Sequence, residues 1–554
     1  MTERSLLAKF LILTLLFAVV LTVVLTPLVV ATFRRKVTAS MNRASRTGSI
    51  ASPTFTGQGV DSDVSASGYF PTTHGGAVVS ARWPPVTPAY SFWPLPRVNP
   101  GAALRANPRQ QTLSRHADRT VQRLVLAYGC GGVAQAVVVT IIVLLGGGDT
   151  YTRPLIWLSA LLVMSLPVVP TIAYVLGTRP VVQALWAAGA LAAALVLAGQ
   201  ARELVLEMFL LYIMVPAAIF LLFNLRYWRA TAPLVLMVAL GGSLGWLVLF
   251  EIGKLVVGAS PAIWVFRLFG LAMGVLLAVP AVRVIGRWYR AKRTSEQMLF
   301  IDAWWSLLTL IQTTVLVVTR GPVQFLALTG LAAYLLCSRT LISGLRTDQP
   351  PAARLLLLRV FGHGRRTERL LDELTLRWRP FGTVDLIAGG DLALRNIDPS
   401  EFYAFLTGGL AREFIQGEAD LEERLTRRDD RQDPDGRFRV NQFFCHRDTW
   451  QPTLDRLVAG CDAVLMDLRD FDHRRVGCRY EIGRLAEHAG TKPIILLVNG
   501  KTQISLAESI FLEAAPQYRL PAGPAGQVFV LQVGRSNRAT VDAATRLLLG
   551  SQPA

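Results

Sequence analysis

The stretch GCRYEIGRLAEHAGTKPIILLVNG, Gly477 to Gly500, reads as a loop end, a short helix and a strand, and its last apolar run decides the fold. PIILLVN stays apolar until its final residue, the pattern of a strand covered on both faces, and such strands belong to parallel sheets. Working outward, the short runs ARLLLLRVF, TVDLIAG, RFRVNQFFC, DAVLMDL and QVFVLQVG alternate with helix-like segments. These segments are RRTERLLDELTLRW, SEFYAFLTGGLAREFI, EADLEERLTRRDDR, TWQPTLDRLVAGC, SLAESIFLEAA and NRATVDAATRLLL. Strands alternating with helices predict βαβ units and a mostly parallel, doubly wound sheet over residues 341–554.

Upstream, the chain is of another kind. Over 554 residues it is 52% hydrophobic, and its mean hydropathy of +0.40 is too high for an ordinary soluble protein. Phe10–Thr32 carries no charge and as a helix would reach about 34 Å, enough to cross a bilayer core. Further apolar segments lie at Leu124–Leu145, Leu155–Leu176, Val181–Ala198, Val205–Phe223, Pro233–Phe250, Ala262–Val282, Met298–Val318 and Pro322–Leu336, giving nine candidate spans. The first is too long for a signal-peptide core and lacks a small-x-small site before Arg34, so it reads as a retained anchor. The predicted organisation is an anchor over 1–33, a Ser/Thr/Pro/Gly-rich loop without apolar periodicity over 34–120, a multi-pass α-helical membrane domain of about eight helices over 121–340, and the α/β domain over 341–554.

The net charge of +19 invites a nucleic-acid reading, and its distribution removes it. From Leu341 onward there are 29 Lys/Arg against 28 Asp/Glu, which leaves 28 basic and 10 acidic residues in the membrane half. A basic excess in the loops between spans is what the positive-inside rule produces, so no nucleic acid is expected as partner. The loops carrying Arg226 and Arg229, Arg283 to Arg293, and Arg339 and Arg346 fall on one side when the spans alternate. This places the α/β domain in the cytoplasm, on the inner face of a bacterial-type cell membrane. Five cysteines with no CxxC pair read as reduced thiols.

In an open parallel sheet, ligands bind outside the carboxyl ends of the strands. Those ends carry Gly362, Gly364, Arg365 and Arg366 after the first strand, Asp391 after the second, and Cys445 to Asp448 after the third. After the fourth come Asp467, Arg469, Asp470, Arg474, Arg475 and then Glu481, expected near the start of its helix. The glycines of FGHG would let backbone amides approach a phosphate, although G-x-G is common in tight βα turns. A glutamate early in a helix also needs no catalytic explanation, because it meets the helix dipole favourably. Asp433 and Asp435 in DPDG fail the EF-hand spacing and read as a turn, and Cys445, His446 and Cys478 have no paired zinc spacing, so no metal site is expected. Arg267, Glu203, Glu207, Glu251, Lys254 and Asp302 are the ionisable residues of the spans, read as snorkelling or structural pairs before a transport path.

CDAVLMDLRDF followed by GCRYEIGRLAEHAGTKPIILLVN resembles the fourth strand, helix and fifth strand of nucleoside 2-deoxyribosyltransferase-like proteins and, more distantly, of TIR domains. The resemblance covers about 40 residues. It implies a TIR/flavodoxin-like sheet and, in Cys478-Arg479-Tyr480-Glu481-Ile482-Gly483, a match to parts of both glutamate motifs. On that basis Glu481 would attack or stabilise a sugar anomeric carbon, with Asp467 and Asp470 positioning a ribose and Arg365, Arg366, Arg474 or Arg475 meeting phosphate. NAD or another nucleotide would be the substrate, and no definite cofactor is assigned. Gly477 stands where TIR enzymes carry tryptophan, and LLLLRVFGHG is not the usual TIR opening. The expectation is therefore a membrane protein with a nucleotide-handling α/β domain cleaving or transferring at an N-glycosidic bond. The alternative is a non-catalytic membrane sensor or scaffold binding a nucleotide, a protein partner or a second copy of itself, and a transporter with a regulatory domain comes third.

Overall fold

The computed structural model describes residues 108–145, 154–177, 232–258, 260–344, 353–359, 365–388, 410–489, 491–515, 528–533 and 537–550, with isolated positions at 31–40, 97–98, 104–105, 185–213 and 552–553. The helical half contains α1 (Pro108–Leu145), α2 (Pro154–Ser165), α3 (Val168–Leu176), α4 (Ala232–Val257), α5 (Ile263–Arg290), α6 (Glu296–Arg320) and α7 (Thr329–Ser343). Among the described residues six stretches are long and apolar enough to cross a membrane: Gln111–Leu145, Pro154–Leu176, Leu240–Val257, Ile263–Arg290, Glu296–Arg320 and Pro322–Ser343. The candidate spans at 10–32, 181–198 and 205–223 lie outside the continuously described residues.

Helix α6 is the axis of this half, with nearly every residue from Gln297 to Val318 buried. Gln135 of α1 donates to the side chains of Gln312 (2.7 Å) and Thr309 (3.3 Å), joining the two helices by polar contacts in an otherwise apolar core. Asp302 of α6 accepts from Tyr334 Oη (3.0 Å) and pairs with Arg339, both on α7. Helices α4 and α5 form a glycine-seamed hairpin. Gly241 and Gly245 face Gly270 and Gly274 so closely that a Cβ on Gly245 would lie 2.1 Å from the Gly270 carbonyl oxygen, and one on Gly274 2.0 Å from that of Gly241. Two G-x-x-x-G spacings in register permit this approach.

The second half is a parallel sheet with helices on both faces. Its elements are β1 (Ala353–Arg359), α8 (Arg365–Trp378), β2 (Gly382–Ile387), a two-residue edge strand β3 (Phe414–Ile415), α9 (Glu418–Thr426), β4 (Val440–Cys445), α10 (Trp450–Gly460), β5 (Ala463–Asp467), α11 (Val476–Glu487), β6 (Ile494–Val498), α12 (Ile504–Ala514), β7 (Val528–Gln532) and α13 (Asn537–Leu548). The order is β7-β6-β5-β1-β2-β4-β3, all parallel, with Arg97–Val98 added in parallel outside β7. Alternation within each strand feeds two cores: Leu355, Leu357 and Leu465 pack with α8 and α13, while Leu356, Leu358, Val464 and Met466 pack with α9 to α12. Setting aside the edge strand, this is the 3-2-1-4-5-6 order of dinucleotide-binding folds. It has one strand more beyond β2 than the 2-1-3-4-5 flavodoxin-like order, because the long segment between β2 and β5 returns β4 outside β2.

Three sequence expectations are corrected. Residues 108–120 are not loop but the start of α1: Leu113 and Ala117, four residues apart, bury against Phe381 and Leu549 of the α/β domain. Val37, also assigned to the loop, is fully buried in the core beneath α8 and α13. The helix expected through Ala411–Ile415 is instead a 3-10 turn (Leu410–Glu413) ending in β3.

The two halves meet at the amino edge of the sheet. The turn Asp433–Gly436, just before β4, abuts α1 at Thr120 and the α5–α6 turn at Lys292 to Ser295. Ser295 N-caps α6 by accepting from the Met298 N–H (3.1 Å) and donates its own hydroxyl proton to Asp435 (2.6 Å).

Candidate functional site

The strand order reverses between β1 and β5, so the crevice expected to hold a ligand opens at their carboxyl ends. Arg359 ends β1 in register with Asp467, which ends β5. Both are buried, at 5% and 1% exposure. Asp467 is gripped in a fork by Arg469, whose Nε reaches Oδ1 (2.8 Å) and whose Nη2 reaches Oδ2 (2.7 Å), while the Arg469 backbone N–H also donates to Oδ1 (3.2 Å). A bidentate charge-assisted pair of this kind fixes both side chains.

Asp470 ties two loops together. Its backbone is left-handed (φ 56°), a conformation that Asp tolerates better than most residues. Its N–H donates to Asn499 Oδ1 (3.1 Å) and its carboxylate accepts from Asn499 Nδ2 (2.8 Å), so the loops after β5 and β6 are stapled by a reciprocal pair. Thr502 reinforces the staple by donating to the Leu468 carbonyl (2.9 Å).

Glu481 is not near the helix start. Helix α11 begins at Val476, which makes Glu481 its sixth residue, in the second turn, at 6% exposure. The dipole explanation therefore loses its geometry, since that effect fades within the first turn. Tyr480 and Arg484 turn toward α10, where both reach Asp455, at 3.1 Å and 2.7 Å. Cys478, Ile482 and Leu485 turn into the core beneath the sheet. Glu481 lies between these directions on the helix, with Oε2 enclosed and without a hydrogen-bond partner among the described residues. Burial alone pushes its carboxyl up to about 8, so at neutral pH it is chiefly a neutral acid.

The basic residues are placed differently. Arg474 is exposed and Arg475 half-buried, directly before the first turn of α11, where a Cβ on Gly477 would meet nothing within 4 Å. A helix start with free space and an adjacent guanidinium suits an anion. Gly362, Gly364 and Asp391 lie outside the described residues, and Arg365 and Arg366 open α8 with side chains outside them too. The structure thus gathers Asp467, Arg469, Asp470, Arg474 and Arg475 at one edge, with Glu481 a turn down the helix and enclosed. Two features escaped the sequence reading. Arg359 is an arginine breaking an apolar run, and that break was its signal; the DPDG turn, read as a turn alone, is the docking point of the helical half. Among the described residues no group of three metal-ligating side chains converges.

No protein-family model matches the chain, and neither does any curated protein or solved structure.

Proposed function

We propose that the chain is a multi-pass membrane protein whose cytoplasmic α/β domain binds a nucleotide or a similar phosphate-bearing ligand, and that it acts as a non-catalytic sensor or scaffold. The observation that carries this reading is the division of labour at the carboxyl edge. Asp467 and Asp470 are committed to Arg469 and Asn499, whereas Arg474 stands exposed at the open start of α11. A phosphate would sit against the α11 amides with Arg474 and Arg475, and the base would lie along the crevice over β1 and β5. The basic loops of the membrane half favour the cytoplasmic side for this domain.

The N-glycosidic reading, carried by the likeness to deoxyribosyltransferase-like and TIR modules, keeps one observation in its favour. Glu481 is a buried acid with a raised pKa and an oxygen that has no partner among the described residues, and perturbed acids cluster at functional sites. A carboxyl protonated at neutral pH serves as a proton donor better than as a nucleophile. The test uses the full chain in lipid nanodiscs with NAD and a panel of nucleotides, following free-base release and thermal shift together. A thermal shift that Arg474→Ala abolishes, without base release, is expected. Base release lost in Glu481→Gln would reverse the conclusion and make the domain an enzyme.

A further inference from the structure

Helix α5 has two sides of different character. Ile263, Arg267, Gly270, Gly274 and Ala278 recur every three or four residues and are buried. The glycines and Ala278 lie against α4, and Arg267 lies over the Phe250 ring (4.2 Å). Tyr289 continues that side at the other end, where Arg439 of the α/β domain sits 3.5 Å over its ring. The opposite side is open. Val265, Phe269 and Leu276, then Arg283, Arg287 and Arg290, follow at spacings of four, seven, seven, four and three residues, and all six are exposed. The face therefore persists past Pro280. Only 19% of the apolar window of α5 is enclosed by the rest of the molecule, against 89% for α6.

The change from apolar to cationic comes where a bilayer would demand it. Val265 and Arg283 are 18 residues apart, about 27 Å along a helix, close to a hydrocarbon core of roughly 30 Å. Trp264 and Trp288 stand exposed at the two ends, the positions of interfacial aromatic belts. No carboxylate answers the three arginines. The chain has no acid between Glu251 and Glu296. Glu251 is near the far end of α4 and pairs with Lys254 (2.9 Å), while Glu296 pairs with Arg379 (3.2 Å). On the domain's side, Asp429, Asp433 and Asp435 are turned to Lys292, Arg439 and Ser295. Among the described residues the side chains of Arg283, Arg287 and Arg290 have no hydrogen-bond or ion-pair partner.

We propose that Arg283, Arg287 and Arg290 form a docking surface for the headgroups of anionic phospholipids, three guanidiniums spread over about 10 Å of helix at the level of the lipid phosphates. The inference rests on the reading that these helices span a bilayer, and it names the lipid they select. Arginine suits the role because its planar fork takes two phosphate oxygens at once. The surface lies across α5 from the joint with the α/β domain, so lipid and domain hold the same helix end from opposite sides.

The experiment is native mass spectrometry of the full chain in detergent, titrated with phosphatidylglycerol or with phosphatidylcholine of the same acyl chains. At the usual weight of an arginine near an anionic surface, three give a preference for phosphatidylglycerol of roughly a hundredfold at low salt. The triple variant Arg283→Gln, Arg287→Gln, Arg290→Gln is expected to lose most of that preference while binding phosphatidylcholine as before. The matched variant Arg115→Gln, Arg119→Gln, Arg123→Gln on α1 is expected to keep it, because that stretch carries Asp118 and docks on the α/β domain through Leu113 and Ala117. Equal affinity for the two lipids in the wild type, or equal losses in the two triple variants, would overturn the proposal. So would a wild-type oligomer that the α5 variant dissolves without any lipid preference, which would give the stripe to a second copy of the chain. A chain that stays dispersed without detergent would bring down the membrane reading itself, a result separate from the absence of lipid preference. Should the triple variant fail to fold, the single Arg287→Gln decides: a severalfold loss of preference supports the surface, and no change refutes it.

Discussion

At the scale of the residue, the acids of the α/β domain are distinguished by what surrounds them rather than by type. Glu481 holds its proton up to about pH 8, whereas in an unfolded chain it would lose it near 4.5. The native state binds the extra proton throughout that window, so the stability contributed by this site falls as pH rises from 4.5 to 8. Glu481→Gln removes the loss. Its melting temperature should match that of the wild type near pH 4.5 and exceed it at pH 8.5, an advantage of at most about 4 kcal/mol by the size of the shift. A mutant less stable at pH 8.5 would show that the ionised carboxylate is compensated after all. Asp467→Asn should act in the opposite sense by leaving the buried Arg469 guanidinium without its carboxylate, at a cost of about 3 kcal/mol in urea unfolding. The sequence placed Asp467, Arg469 and Asp470 at one strand end because strand direction fixes that much. It did not show that Asp467 would be spent on a residue two positions away, since that depends on a side-chain rotamer and on burial.

Elements were the most legible scale. Strands β1, β5 and β6 stand out because burial on both faces removes every polar residue from LLLL, AVLM and IILLV. Strand β4 was expected from Arg437 and begins at Val440, because Phe438 and Arg439 are drawn into bonds with Arg379, Asp433 and the Tyr289 carbonyl. No local pattern carries that demand, which comes from the other half of the chain. The glycine seam was equally silent, as GGSLG and GLAMG show only spacing until α4 and α5 are paired. Gly245→Leu or Gly274→Val would drive side-chain atoms into the facing backbone. Either should lower the melting temperature in nanodiscs by several degrees, a penalty of about 2 kcal/mol or more. Gly286→Val on the same α5, where an added Cβ meets nothing within 4 Å, is the matched control and should be near neutral. Equal effects at Gly274 and Gly286 would mean that helix propensity, not packing, governs the hairpin.

For the whole molecule, the division into an apolar helical half and a doubly wound half was readable from hydropathy and strand spacing. The way the halves join was not. Docking rests on Gly436, which holds φ at 75° and leaves no room for a side chain against Thr120. Gly436→Val should therefore separate the unfolding of the two halves into distinct calorimetric transitions, where the wild type gives overlapping ones. A single unchanged transition would mean that the junction is dispensable. Because the helical half docks on the amino ends of the strands, the carboxyl ends stand away from it by the full length of a five- to seven-residue strand, about 20 Å. The docking turn and the crevice thus occupy opposite ends of the same strands, so whatever reaches the crevice need not touch the joint that holds the two halves.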